Sequence, residues 1–222
     1  MPSLLQKPKS IFKAFLDIVL PPVCYVCGRN CSSKYGLCTL CLNRIRLCAE
    51  YSKNPYIEKA WSCSYYKDTI KECIHLFKYR GYIGLIDIFR DIMIDFVKKH
   101  DIHKNMDLIV PVPVYPTKKR ERTYNHAEIL ARSLSKNLVI PIDVKNLKKI
   151  KWTQSQSELG REKRLKNVKD SFLVVDKGVF SGKCVLVVDD VYTTGATINE
   201  CAKVLRGAKA SKVFSLTLAR GA

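Results

Sequence analysis

Residues 185–197 read VLVVDDVYTTGAT, and this stretch decides the fold. Four apolar residues, Val185 to Val188, make a short run of the kind buried on both faces inside a parallel sheet. Two carboxylates, Asp189 and Asp190, end that run. Thr193, Thr194, Gly195, Ala196 and Thr197 then form a small, hydroxyl-rich turn that opens into a helical segment from Ile198 to Leu205. Backbone NH groups at such a helix start can hold a phosphate, while carboxylates suit ribose hydroxyls or a magnesium ion.

Two common phosphate-binding patterns are missing. The chain contains no GxxxxGK[ST], so the acidic strand end is not the magnesium strand of a P-loop enzyme, and it contains no GxGxxG. The stretch instead resembles the signature of type I phosphoribosyltransferases, which bind 5-phosphoribosyl 1-pyrophosphate (PRPP). The alternative is an ordinary buried strand followed by an ordinary helix cap.

The cysteines carry a second signal. Cys24 and Cys27 form one CxxC, Cys38 and Cys41 form another, and ten residues separate the pairs. Four thiolates so spaced can close tetrahedrally around zinc, and Gly28 and Gly36 supply turns beside the two knuckles. The competing reading is a pair of disulfides, and Cys31 and Cys48 lie near enough to replace one of the four ligands. A closed four-thiolate site leaves no open position for catalysis, so this zinc would be structural. Cys63, Cys73, Cys184 and Cys201 stand in apolar surroundings and read as small core residues.

Length and charge bound the remainder. With 222 residues and 47% hydrophobic content, the chain can bury one good core and a small appendage, which excludes global disorder. Lys and Arg total 39 against 20 Asp and Glu, a formal charge of +19. The excess concentrates at Lys118, Lys119, Arg120 and Arg122, and between Lys145 and Lys169, where nine basic residues meet only Glu158 and Glu162. Such blocks attract polyanions, although a lysine-rich solubilising surface has the same composition. The segment Ile11 to Leu20 is interrupted by Lys13 and Asp17 and reads as an amphipathic helix rather than a leader; no apolar run reaches the roughly 20 residues needed to span a bilayer. A cytoplasmic protein without stable membrane insertion is the expectation.

Beyond the knuckles, Asn54 and Pro55 suggest a linker near residues 49–57, dividing an N-terminal module, 1–50, from a larger domain, 51–222. Strand character at Ala60–Tyr66, a helix at Ile70–Tyr79, and a second at Leu85–Lys98 with Ile88, Ile92 and Phe96 inward come next. Leu108–Val114 reads as a strand whose Pro111 and Pro113 mark its exit from the sheet. Helix Asn125–Asn137 and strands Leu138–Asp143, Phe172–Val175 and Val213–Ala219 complete an alternating order. The implied fold class is α/β: a parallel sheet flanked by helices, with ligands at the carboxyl ends of its strands.

Several further motifs narrow the resemblance. LPPVCYVCG at Leu20–Gly28, the second CxxC, FKYRG at Phe77–Gly81, VPVP at Val110–Pro113, RTYNHAE at Arg122–Glu128 and TLAR at Thr217–Arg220 together resemble the ComF family, the competence protein F group. The resemblance implies a zinc-binding N-terminus joined to a type I phosphoribosyltransferase-like domain. It further implies PRPP as ligand with magnesium, single-stranded DNA as a partner, a role in DNA uptake during natural transformation, and a place beside a DNA-uptake helicase. Residue by residue, Asp189 and Asp190 match the acidic pair and Thr193 to Thr197 the phosphate turn. Val112, with Lys118, Arg120 and Arg122 downstream, occupies the place of the pyrophosphate loop. Thr153, Gln156, Leu159, Arg164 and Asn167 resemble the mobile loop that closes over PRPP, where the alternative is a solvated charged helix.

The chemistry so implied is displacement of pyrophosphate at the ribose C1 carbon, which needs charge neutralisation, exclusion of water and positioning rather than a protein nucleophile. His75 and His126 are candidates for a general base by residue type alone. Thr123 and His126 stand where the family commonly has Gly and Gln, and Lys149 and Lys151 where Arg is frequent before Thr153. Lysine offers a point charge where arginine offers a fork, which weakens pyrophosphate binding. Tyr79, Tyr82, Tyr124 and Trp152, interleaved with the basic blocks, suit base stacking along a single strand. Two functions therefore stand side by side: a PRPP-binding partner of DNA, and a transferase acting on an acceptor of its own.

Overall fold

A computed structural model describes residues 21–48, 51–116, 124–152 and 167–221. Five strands form the main sheet: β1 (Tyr51–Asn54), β2 (Ile57–Tyr65), β3 (Leu108–Pro111), β6 (Cys184–Tyr192) and β7 (Lys212–Arg220). Their order is β1-β2-β7-β6-β3, with β1 antiparallel to β2 and every other pairing parallel. The helices are α1 (Thr39–Asn43), α2 (Asp68–Tyr79), α3 (Ile86–Lys99), α4 (His126–Leu138) and α5 (Ala196–Gly207). A separate two-stranded antiparallel sheet joins β4 (Leu147–Lys149) to β5 (Phe172–Val174).

Strand β6 shows why the VLVV run is continuous. Leu186 and Val188 face a core built with Ile70, Ile74 and Phe77 of α2, Phe89 and Met93 of α3 and Leu130 of α4. Val185 and Val187 face the other layer, against Ile198, Cys201, Ala202 and Leu205 of α5. Burial on both faces removes the polar alternation of a half-exposed strand. The longer helices each pack through one stripe, as with Ile70, Cys73, Ile74 and Phe77 on α2.

The structure corrects several local expectations. β6 does not stop before the carboxylates but runs through both to Tyr192, because β7 pairs beside it as far as Tyr192 opposite Arg220. The expected linker near residues 49–57 contains a hairpin, with Asn54 opposite Ile57 at its turn. On α3, Ile88 and Phe96 are buried and Ile92 packs against the same core, as expected, and the buried stripe extends further to Phe89, Met93 and Val97. The strand expected at Leu138–Asp143 shrinks to one parallel bridge between Ile109 and Ile142. Leu138 belongs to α4, Val139 ends that helix with φ 56°, and Asp143 Oδ1 accepts the Lys145 and Asn146 amides in a tight turn. Phe172–Val174 pairs with β4, outside the parallel sheet. The strand at Leu108 ends at Pro111, and the prolines do sit at its exit. The amphipathic segment Ile11 to Leu20 lies outside the described residues, among which no helix is long and apolar enough to cross a membrane.

Candidate functional site

The N-terminal knuckles and the carboxyl ends of the sheet form two sites linked by α2. In the first, the Sγ atoms of Cys24, Cys27, Cys38 and Cys41 all lie within 4.8 Å of one another. Thiolates bound tetrahedrally at about 2.3 Å from a zinc ion would stand roughly 3.8 Å apart, so the donor set fits a thiophilic cation. The chain turns to make this possible: Gly28 NH donates to the Cys24 carbonyl at 2.9 Å, and Gly36, at φ 67°, packs so tightly on the Tyr25 ring that a Cβ there would overlap it. Burial alone would raise the Cys24 thiol, but the backbone amides of Cys38, Cys27 and Val26 carry it down to about 6. Burial and the neighbouring thiols push Cys41 up.

Cys31 and Cys48 stand outside this cluster. Cys48 instead continues the sheet edge, its NH donating to the Cys63 carbonyl at 3.0 Å and its Sγ to the Ser62 carbonyl at 3.2 Å. Cys63, Cys73 and Cys201 are buried, as small core residues should be, whereas Cys184 is partly exposed. The module is fastened to the larger body by shared core, with Cys24, Leu37 and Cys41 packed in one cluster with α2 and α3. Tyr35 Oη adds a hydrogen bond to Asp91 Oδ2 of α3 at 2.7 Å.

At the second site, successive positions of β6 send Asp189 and Asp190 to opposite faces of the strand. Asp189 lines a small cup with Tyr192, Thr193, Gly195, Ala196, Thr197 and Ile198. Gly195 has φ 73° and caps α5, and a Cβ on it would come within 2.3 Å of Tyr192 Oη. That hydroxyl is held by Asn54 Nδ2 at 3.0 Å, so the β1–β2 hairpin helps shape the cup. The first turn of α5 opens into it, where the i to i−4 pattern leaves amides without a helical partner. Burial and the adjacent Asp190 carboxylate push the Asp189 carboxyl up to about 7, against the opposing pull of Lys78 and Lys149.

Asp190 faces α2, where Lys78 Nζ meets its Oδ1 at 2.7 Å. Both side chains are largely covered, with 20% of Lys78 and 13% of Asp190 exposed. Burial would lower the Lys78 ammonium, but the two carboxylates hold it above its ordinary value. Lys78 belongs to the FKYRG motif, yet nothing local in that motif announces a partner 112 residues away.

RTYNHAE explains how Lys78 is mounted. The Phe77 carbonyl, one of the last in α2, accepts from Tyr124 Oη and from His126 Nε2, each at 3.3 Å. The Phe77 ring packs against Phe89, Tyr124 and His126. Asn125 caps α4 by accepting the Ala127 amide and donates from Nδ2 to the Val112 carbonyl at 3.0 Å. Val112 in turn donates its NH to the Val188 carbonyl at 2.9 Å, which seats the VPVP exit beside the acidic pair. His126 is thus a buried brace. His75 packs against Tyr79 on α2, outside the contacts of the acidic pair. Tyr79, Tyr82 and Trp152 are exposed, while Tyr124 is occupied in the brace. Lys118, Lys119, Arg120, Arg122 and Thr123 lie outside the described residues, as do Thr153, Gln156, Leu159 and Arg164.

Comparison with known proteins adds a framework to this geometry. Residues 124–222 match the model of the phosphoribosyl transferase domain. The chain is 29% identical over 215 residues to competence protein F of Haemophilus influenzae, covering 92% of this chain and 93% of that one. It is 29% identical over 204 residues to competence protein ComFC of Bacillus subtilis, with 89% and 78% covered. To DNA utilization protein YhgH of Salmonella typhimurium it is 23% identical over 224 residues, with 90% and 98% covered.

Proposed function

Because the chain belongs to the ComF family of competence proteins, we propose that it binds PRPP with magnesium and single-stranded DNA, and acts in DNA uptake from the cytoplasmic side. A structural zinc on Cys24, Cys27, Cys38 and Cys41 would build the 1–50 module, and residues 51–222 would form the PRPP-binding domain. The observation that carries the ligand assignment is the acidic strand end running straight into a glycine-led helix start, Asp189 to Thr197. In this reading the amides and hydroxyls of Thr193 to Thr197 hold the 5′-phosphate and Asp189 and Asp190 orient the ribose hydroxyls. The Val112 exit, with Lys118, Arg120 and Arg122, faces the pyrophosphate, and Thr153, Gln156 and Arg164 close over the donor. Magnesium, when bound with the donor, would neutralise pyrophosphate charge.

A thermal melt tests the pocket: magnesium with PRPP should raise the Tm of the parent and leave Asp189→Asn/Asp190→Asn unmoved. No shift in the parent would remove the assignment. For DNA, neutralising about four phosphates predicts a log–log salt slope near −3, a loss of roughly fiftyfold between 50 and 200 mM salt. Affinity that stays flat over that range would count decisively against a DNA partner.

The second reading, an active phosphoribosyltransferase on a base or nucleotide acceptor, draws support from Asp189, whose carboxyl near pH 7 is poised to accept an acceptor proton. Release of pyrophosphate on addition of candidate acceptors separates this reading from a PRPP-sensing one.

A further inference from the structure

The Lys78–Asp190 pair combines a rigid mount with a mobile charge. The carbonyl before Lys78 is fixed by two donors and the Phe77 ring by three aromatic neighbours, so the backbone at this point cannot easily shift. The ammonium, by contrast, ends a flexible four-carbon stem and is held to one carboxylate oxygen at 2.7 Å. Such a group can exchange partners without moving the helix that carries it.

Charge indicates the second partner. Two adjacent carboxylates repel a phosphorylated, pyrophosphorylated sugar, and bringing that donor to Asp189 and Asp190 requires cations on the pyrophosphate side. The phosphate turn lies on the Asp189 side of β6, among the residues that line the cup. Asp190 and Lys78 lie on the other face, where Tyr124, Asn125 and Val112 connect the Lys78 mount to the exit of β3. Resting on the PRPP reading above, we propose that Lys78 binds the pyrophosphate group of the donor, releasing Asp190 to the ribose as it does so. In the ligand-free protein the same lysine neutralises Asp190, which keeps a covered carboxylate from standing alone.

Calorimetric titration of the full-length protein, purified without chelator, tests this with ribose 5-phosphate and with inorganic pyrophosphate, each in magnesium. The parent should bind both. Lys78→Met should hold ribose 5-phosphate within about threefold and lose pyrophosphate by about tenfold or more, the worth of a charge-assisted hydrogen bond. Lys78→Arg, which keeps the charge, should recover most of that loss. Unchanged pyrophosphate affinity in Lys78→Met overturns the proposal and leaves the PRPP reading standing. Equal loss of both ligands together with a lowered Tm overturns it in favour of a purely structural ion pair. A parent that binds neither compound overturns this proposal and the PRPP reading together.

Discussion

As a carboxylate, Asp189 costs the fold stability at neutral pH. Its carboxyl holds a proton up to about 7 in the folded protein, whereas an ordinary aspartic acid releases it near 3.8. Between those values the folded state binds more protons than the unfolded one, so stability falls as pH rises from about 4 to about 7 and stays lost above. Asp189→Asn, which carries no charge at any pH, should therefore melt about 5 °C higher than the parent at pH 8 without magnesium, with a smaller gain at pH 5. A gain that grows toward acid pH would reverse the sign of this account. Gly195 makes the opposite case, since Gly195→Ala meets both a φ of 73° and the Tyr192 hydroxyl. The expected cost is about 1–3 kcal/mol in urea unfolding, with loss of any PRPP-induced Tm shift.

Among elements, the joint between α2 and α4 was the least visible in the sequence. FKYRG and RTYNHAE can each be quoted as motifs, but their meeting at one carbonyl is a contact between residues 47 and 49 positions apart, which no local period encodes. The joint makes an ordering prediction: His126→Ala should cost about 1–2 kcal/mol, since it removes one of the two side chains that donate to the Phe77 carbonyl among the described residues, and His126→Gln should cost less because a side-chain NH is retained. Chemical denaturation of the two variants checks the order. The VLVV–DD–TTGAT stretch was legible for the reverse reason. Strand, turn and helix there follow one another directly, and burial on both faces of β6 writes itself as unbroken apolar sequence. The short β5 pairs with a strand far upstream, which no local pattern encodes, and the hairpin at Asn54, although local, was hidden because Asn54 and Pro55 read equally well as a linker.

For the whole molecule, the four-cysteine module and the sheet share a core rather than a hinge. Cys24, Leu37 and Cys41 pack in the same cluster as Phe77, Phe89 and Met93. The cysteine spacing disclosed the four-thiol cluster, but it could not disclose this continuity, which depends on where α2 and α3 lie. If the cluster holds a cation, its removal should therefore affect more than residues 21–48. Calorimetry with a zinc chelator should lower and broaden the main unfolding transition, and Cys24→Ser or Cys41→Ser should do the same without chelator. An unaltered transition would mean that the knuckles stand without a cation.

Helix α2 reaches the module at its start, through Ile70, Cys73 and Ile74, and presents Lys78 near its end. Its 12 residues make a rod about 18 Å long. Disturb the anchorage of the rod and its far tip loses aim. If the cluster holds zinc and Lys78 holds pyrophosphate, as proposed above, a cell short of zinc would lose pyrophosphate binding at the far end of this rod while the acidic strand stayed intact.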